Sequence, residues 1–294
     1  MQSKTKRLTR SADSAERNQL PPACLVSIYP AGKNLGTRYN LETIPWVLGH
    51  DAKCDIRLED ESVSRRHAII QPEPDGYHVI DLQSTNGTYV NETRVSRSLL
   101  KNGDILRVGV GIYRFLSGDD LEASYREEIY RLTIMDALTE LPNKRYSLEF
   151  LGRALGYGIR YRQPLALLML DIDHLRAIND QLSYLAGDMA LRQLATLLRR
   201  HVRREDLFSR YEGGTFLVVL PGTNHGGAGV LAERLRKLAE GQTFQFEGRA
   251  FRLTVSIGIS ALTGEDWQTS SELVEQARQK LAEAKRLGGN RVVG

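Results

Sequence analysis

Hydrophobic positions along the chain fall into two textures. Between residues 24 and 115 they come in short runs, at 25–29, 46–48, 67–71, 77–81, 88–90 and 112–115, broken by turn formers such as Pro74-Asp75-Gly76, Asn86-Gly87 and Asn102-Gly103. Short apolar runs at this spacing predict the strands of an all-β sandwich. After Ser117-Gly118-Asp119-Asp120 the chain turns rich in Glu and Arg, with apolar positions at Ile129, Leu132 and Ile134. Residues 118–135 therefore read as an exposed linker helix. Further on, helical stretches at 145–161, 185–202, 226–239 and 270–287 alternate with apolar runs at 165–171, 215–220 and 251–260. Runs as continuous as 165–170 and 216–220 predict strands buried on both faces. The fold class expected is multidomain, with a β sandwich at 23–117, the linker helix at 118–135, and an α/β (α+β) domain with a central sheet flanked by helices at 136–294. Residues 1–22 are polar, end in Pro21-Pro22, and predict a disordered tail.

Composition narrows the class. Of 294 residues, 41% are hydrophobic and 26% charged, which suits a soluble globular chain and excludes collagen-like, coiled-coil or largely disordered ones. Cys24 and Cys54 are too few for a disulfide framework and fit a reducing compartment. No apolar run approaches the ~20 residues of a membrane span, and the N-terminus lacks the apolar core of a secretory signal. A cytoplasmic location without membrane insertion is expected. The net charge of +4 comes mostly from the tail, where Lys4, Lys6, Arg7, Arg10 and Arg17 outnumber Asp13 and Glu16. No helix carries a concentrated basic stripe, so nucleic acid is not an expected partner.

Candidate chemistry in the first domain concerns phosphate. A phosphate dianion needs several converging donors, and Ser64, Arg65 and Thr85 are donors on turn-like segments. Asn86 can pair with a peptide main chain through both ends of its amide, and Gly87 permits a tight hairpin turn. Gly49-His50, then Val63-Ser64-Arg65-Arg66-His67, then residues 81–88, then Asn91 occur in that order, and together they resemble the forkhead-associated (FHA) family. The resemblance covers about residues 24–117 and implies a β sandwich whose end loops bind phosphothreonine peptides. It places Ser64, Arg65 and Thr85 around the phosphate and Asn86 on the peptide. His67 would brace the loop, and His50 stands where the family has a supporting arginine. Thr5 and Thr9, set among basic residues, are candidate phosphorylation sites that the same domain could capture at high effective concentration.

Four segments of the second domain resemble the GGDEF family of diguanylate cyclases. They are residues 136–143, residues 171–180, the stretch from Arg203 to Tyr211, and residues 255–259 followed by Ala284-Lys285. Active members condense two GTP molecules into cyclic di-GMP, with a GTP and a metal pair on each of two facing protomers. The signature is altered here to Glu212-Gly213-Gly214-Thr215-Phe216. Glu212 is expected to repel a triphosphate, Gly214 removes a metal-binding acid, and Thr215 replaces a glutamate needed for metal and for the 3′-hydroxyl. Ser183-Tyr184 stands in place of Gly-His, and Gly289 in place of a phosphate-binding arginine.

By resemblance, a vestigial GTP site retains Asp171 as metal acid, Asn179 and Asp188 for guanine, and Arg176 and Lys285 for phosphate. Arg203 and Asp206 match the Arg-x-x-Asp of the inhibitory cyclic di-GMP site, and Arg234 matches its second arginine. Taken alone, Arg-x-x-Asp reads as a solvated i,i+3 ion pair; the register supplies the meaning. The resulting expectation is a protein that is not an enzyme, with no catalytic residue, metal or cofactor. It would be a cyclic di-GMP-binding effector that also reads phosphothreonine and forms a homodimer when ligand-bound. The alternatives are an active but divergent diguanylate cyclase and a nucleotide-independent interaction scaffold.

Overall fold

The computed structural model describes residues 20–30, 34–262 and 269–294. Thr5 and Thr9 lie outside the described residues. The chain divides between Tyr125 and Arg126 into two compact units.

The first unit is built from strands β1 (Ala23–Tyr29), β2 (Arg38–Leu41), β3 (Trp46–Gly49), β4 (Ile56–Arg57), β5 (Ala68–Glu73), β6 (Gly76–Asp81), β7 (Thr88–Val90), β8 (Thr93–Val95), β9 (Arg97–Leu99), β10 (Ile105–Val108) and β11 (Gly111–Ser117). They form two sheets, ordered β2-β1-β11-β10-β7-β8 and β4-β3-β5-β6-β9. Leu25, Leu106, Val108 and Phe115 of the first sheet pack with Leu48, Ile70 and Val79 of the second in one core, the sandwich that the short apolar runs predict. The strands β2, β4, β8, β9 and β10 escape the hydrophobic pattern because each has four residues or fewer. Helix α1 (Leu121–Ile134) begins in this unit, where Tyr125 donates its hydroxyl hydrogen to Gly36 O at 3.0 Å and Glu122 pairs with Arg38.

The second unit continues with α2 (Lys144–Tyr161), β12 (Leu165–Ile172), α3 (Leu175–Gln181), α4 (Tyr184–Arg199), β13 (Leu207–Glu212), β14 (Thr215–Pro221), α5 (His225–Gly241), β15 (Phe244–Phe246), β16 (Arg249–Phe251), β17 (Val255–Ala261), α6 (Ser270–Arg286) and β18 (Val292–Val293). Its main sheet is ordered β13-β14-β12-β17-β18, with β12 antiparallel to both neighbours. Alternation along β12 sends Leu165, Leu167 and Met169 against Leu151 and Leu155 of α2 and Leu273, Ala277 and Leu281 of α6. Ala166, Leu168 and Leu170 are equally buried on the opposite face, which α5 covers.

Two expectations about elements change. The helix expected at 185–202 stops at Arg199, and the strand expected at 251–260 starts only at Val255. Phe251 instead belongs to the β15–β16 hairpin, where its ring stacks on Phe244. The signature segment is a two-residue turn at Gly213-Gly214 joining β13 to β14, with Gly213 at φ 52°. No helix among the described residues is long and apolar enough to cross a membrane.

Candidate functional site

The turn at Gly213-Gly214 meets the end of β12, and three residues converge there. Asp171 sits opposite Thr215 in the ladder. Thr215 donates its hydroxyl hydrogen to Asp171 Oδ1 at 2.7 Å, and Lys285, from the last turn of α6, pairs with Asp171 Oδ2. Arg210 fixes the turn from below. Its Nη1 donates to Asp136 Oδ1 at 3.0 Å, while Nε and Nη2 donate to Gly213 O at 3.1 and 3.0 Å. Asp136 in turn accepts from the backbone N–H and hydroxyl of Thr139. This clamp joins the 136–143 motif to the signature turn.

A metal pair does not fit this corner. Divalent cations of the magnesium class need oxygen donors carrying negative charge. Both Asp171 oxygens are engaged by Thr215 and Lys285, and Gly214 and Thr215 bring no carboxylate. Asp173, two residues on, is buried and held by Thr254 Oγ1 at 2.8 Å, Ser256 Oγ at 2.7 Å and the Asn290 N–H at 2.8 Å.

Glu212 does not face the cleft as an uncompensated charge. Its Oε2 lies 2.7 Å from Lys144 Nζ and its Oε1 3.6 Å from Arg278 Nη1. Both cations also lie over the Tyr211 ring. The Lys144 hydrogen bond holds the Glu212 carboxyl below the ordinary glutamate range. The expected repulsion of a triphosphate is corrected accordingly, because two cations neutralise the carboxylate locally. Sequence reading missed Lys144 and Arg278, which lie 68 and 66 residues from Glu212 and carry no motif signal.

On the α3–α4 side, Asn179 lies against Gly187, and a Cβ at that glycine would collide with Asn179 Oδ1. This oxygen is shielded from solvent and has no hydrogen-bond partner among the described residues. A buried acceptor left unpaired is costly, and a ligand donor would relieve it. Asp188 follows Gly187 on α4, one turn beyond Tyr184. Of the expected GTP-site residues, Asp171 and Lys285 are thus in contact, and Asn179 adjoins the Gly187-Asp188 turn. Arg176 instead points to solvent and pairs loosely with Asp180 at 3.8 Å.

The cyclic di-GMP residues separate into two places. Arg203 is exposed, and Asp206, just before β13, has a second orphaned oxygen, Oδ1. Burial pushes the Asp206 carboxyl above its ordinary range, against a hydrogen bond from the Arg203 backbone. Arg234 lines a groove along α5 with Gly229, Val230, Glu233 and Lys237, and neither Arg203 nor Asp206 borders that groove. Arg203 and Asp206 thus precede β13, and Arg234 lines the α5 groove.

In the sandwich, Ser64 and Thr85 are neighbours. The Thr85 N–H donates to Ser64 Oγ at 3.0 Å, and the two hydroxyl oxygens are 3.4 Å apart. His67 is fully buried beneath them. Its Nδ1 accepts from the Ser64 N–H at 3.1 Å and its Nε2 faces Gly87 O at 3.0 Å, so the proton sits on Nε2 and the ring ties the two loops together. Burial lowers its pKa. Gly87 is at φ 75°, and the Arg94 guanidinium lies against it. Arg65 is exposed beside Ser64. Asn86 is oriented by one of its two Nδ2 hydrogens, which donates to Ser62 O at 2.8 Å, leaving the second N–H and the carbonyl for a peptide. The His50 ring turns to Leu58 O at 3.2 Å, while its backbone N–H donates to Ser64 O at 3.0 Å.

Comparisons with known proteins agree with this division. Residues 46–109 match the FHA domain, and residues 133–291, more than half of the chain, match the family described as diguanylate cyclase, GGDEF domain. Diguanylate cyclase A of Treponema denticola is 34% identical over 169 residues, covering 56% of this chain and 45% of its own length. Diguanylate cyclase DgcP of Pseudomonas aeruginosa is 36% identical over 169 residues, covering 58% and 25%. The chain thus spans less than half the length of these curated relatives. The solved GGDEF domain of DgcB from Caulobacter crescentus, in complex with c-di-GMP, superposes with a TM-score of 0.52 at 25% identity, covering 54% of this chain and 94% of that one.

These relatives overturn the expectation that the chain is not an enzyme. That expectation rested on the signature turn together with Ser183-Tyr184 and Gly289, and its electrostatic part fails because Glu212 is paired with Lys144 and Arg278.

Proposed function

Because the chain belongs to the diguanylate cyclase family defined by the GGDEF domain, we propose that its second unit is a divergent diguanylate cyclase acting on GTP, joined to an FHA domain that reads phosphothreonine. The observation that carries the proposal is the orphaned Asn179 Oδ1 beside Gly187-Asp188. It is a shielded acceptor that must open from Gly187 to meet a base edge, and guanine offers N1–H and N2–H donors where adenine offers a different pattern. Lys285, beside Asp171, supplies positive charge for the phosphates. The 3′-hydroxyl of one GTP attacks the α-phosphorus of the other and expels pyrophosphate, and Asp171, released as Lys285 turns to the phosphates, is the carboxylate left to take the hydroxyl proton. Joining two GTP molecules into a ring requires two such sites to face each other, so the working form is a homodimer.

Arg203 and Asp206 form the binding place for the cyclic product. Arginine presents a planar fork to guanine N7/O6 or to phosphate, and a guanine donor relieves the orphaned Asp206 Oδ1. In the first unit, Ser64, Arg65 and Thr85 receive the phosphate of a phosphothreonine partner, with Asn86 Oδ1 on the peptide.

Calorimetric titration of the full chain with GTP, ATP and cyclic di-GMP tests the reading. GTP binding that exceeds ATP binding, with the preference lost in Asn179→Ala, supports it. Equal binding of GTP and ATP, or an unchanged preference in Asn179→Ala, would overturn it.

A further inference from the structure

We propose that Tyr184 is the stacking platform for the nucleotide base, an inference that rests on the guanine reading of the Asn179–Asp188 corner. Tyr184 opens α4 and is 72% exposed, the most exposed of the large hydrophobic side chains of α3 and α4 among the described residues. Two other exposed rings of this unit have company, while Tyr130 of α1, 66% exposed, also lacks it. Tyr157 and Tyr161 lie with ring centroids 4.5 Å apart, and the Tyr161 ring also carries Arg160. No ring or cation lies over Tyr184 among the described residues.

Its position gives the ring a use. Tyr184 and Asp188 are four residues apart on α4 and therefore share one helix face. Gly187, on the adjoining face, is in contact with Asn179 of α3. Ser183 fixes where the helix starts, its Oγ accepting from the Ala186 N–H at 3.2 Å, so the ring leaves from a capped and ordered turn. A base whose edge is held by Asn179 and Asp188 presents its π face to a side chain one turn nearer the helix start. Stacking there adds affinity without discriminating among bases, whereas the Asn179 and Asp188 edge contacts discriminate. The two contributions are therefore separable.

The experiment measures GTP and ATP affinity of the full chain by calorimetry for wild type, Tyr184→Ala, Tyr184→Phe and Asn179→Ala, with circular dichroism melting to verify folding. Tyr184→Ala is expected to weaken GTP about tenfold and to leave the GTP-to-ATP ratio unchanged, while Tyr184→Phe stays within about twofold of wild type. Asn179→Ala is expected to collapse that ratio. If Tyr184→Ala binds as tightly as wild type, or Tyr184→Phe loses as much as Tyr184→Ala, the stacking role is wrong while the guanine reading stands. If the folded wild type shows no GTP binding, the guanine reading itself fails and the stacking role with it.

Discussion

Lys144 Nζ lies 2.7 Å from Glu212 Oε2, and this ion pair decides how the altered signature affects the cleft. A glutamate replaces a small, flexible residue where phosphate would approach, yet its charge is turned toward α2 and α6, where Lys144 and Arg278 receive it.

Replacing Glu212 therefore separates two accounts. If the carboxylate repelled triphosphate, Glu212→Ala would tighten GTP binding severalfold. With the charge already paired, Glu212→Ala is expected to change GTP affinity by less than about twofold. It should also destabilise the unit by under ~1 kcal/mol, because both partners are about half exposed. Calorimetry and thermal melting read both quantities.

Lys285 stands where metal charge would otherwise gather. Because it pairs with Asp171 and the turn supplies no carboxylate, GTP is expected to bind as tightly in EDTA as in Mg²⁺. Lys285→Ala should weaken GTP by about tenfold through loss of a charge-assisted contact. A requirement for Mg²⁺ in the binding step would contradict this arrangement.

The sandwich carries a pH dependence through His67. The neutral ring accepts from the Ser64 N–H, and burial lowers its pKa, so the folded state disfavours the imidazolium. Its contribution to stability is complete above the ordinary histidine pKa and is lost as pH falls from there through the lowered folded value. The melting temperature of the N-terminal unit should decline on acidification below about pH 6.5. His67→Gln should be less stable at neutral pH and show a flatter profile, which thermal melting across pH would register.

Phosphopeptide capture depends on the pairing of Ser64 with Thr85. Ser64→Ala removes a hydroxyl and also leaves the Thr85 N–H without its acceptor. It should weaken binding of a phosphothreonine peptide by about tenfold or more, and Arg65→Ala by a similar factor. Affinity for the unphosphorylated peptide should not change, and fluorescence anisotropy with both peptides would show the difference.

Much of this was legible in the chain itself. The continuous apolar runs at 165–170 and 216–220 predict the buried centre of the second sheet, and the motifs around Ser64, Thr85 and Gly87 mark two loops that the structure brings together. The rest depends on contacts between distant residues. Glu212 reads as a repulsive charge because Lys144 and Arg278 approach it only in the folded sheet and helices. Asn86 reads as a free amide until Ser62 O takes one of its two Nδ2 hydrogens. Arg203, Asp206 and Arg234 share a family register, but Arg234 lies along the α5 groove, bordered by neither of the others. Short strands such as β4 and β8 escape because two or three residues carry too little pattern.

The central claim is tested most directly by incubating the full chain with GTP in Mg²⁺ buffer and separating the products by chromatography. The account predicts cyclic di-GMP that accumulates with time and disappears in Asp171→Asn. Absence of cyclic di-GMP from a folded, GTP-bound protein, or undiminished product from Asp171→Asn, would contradict it.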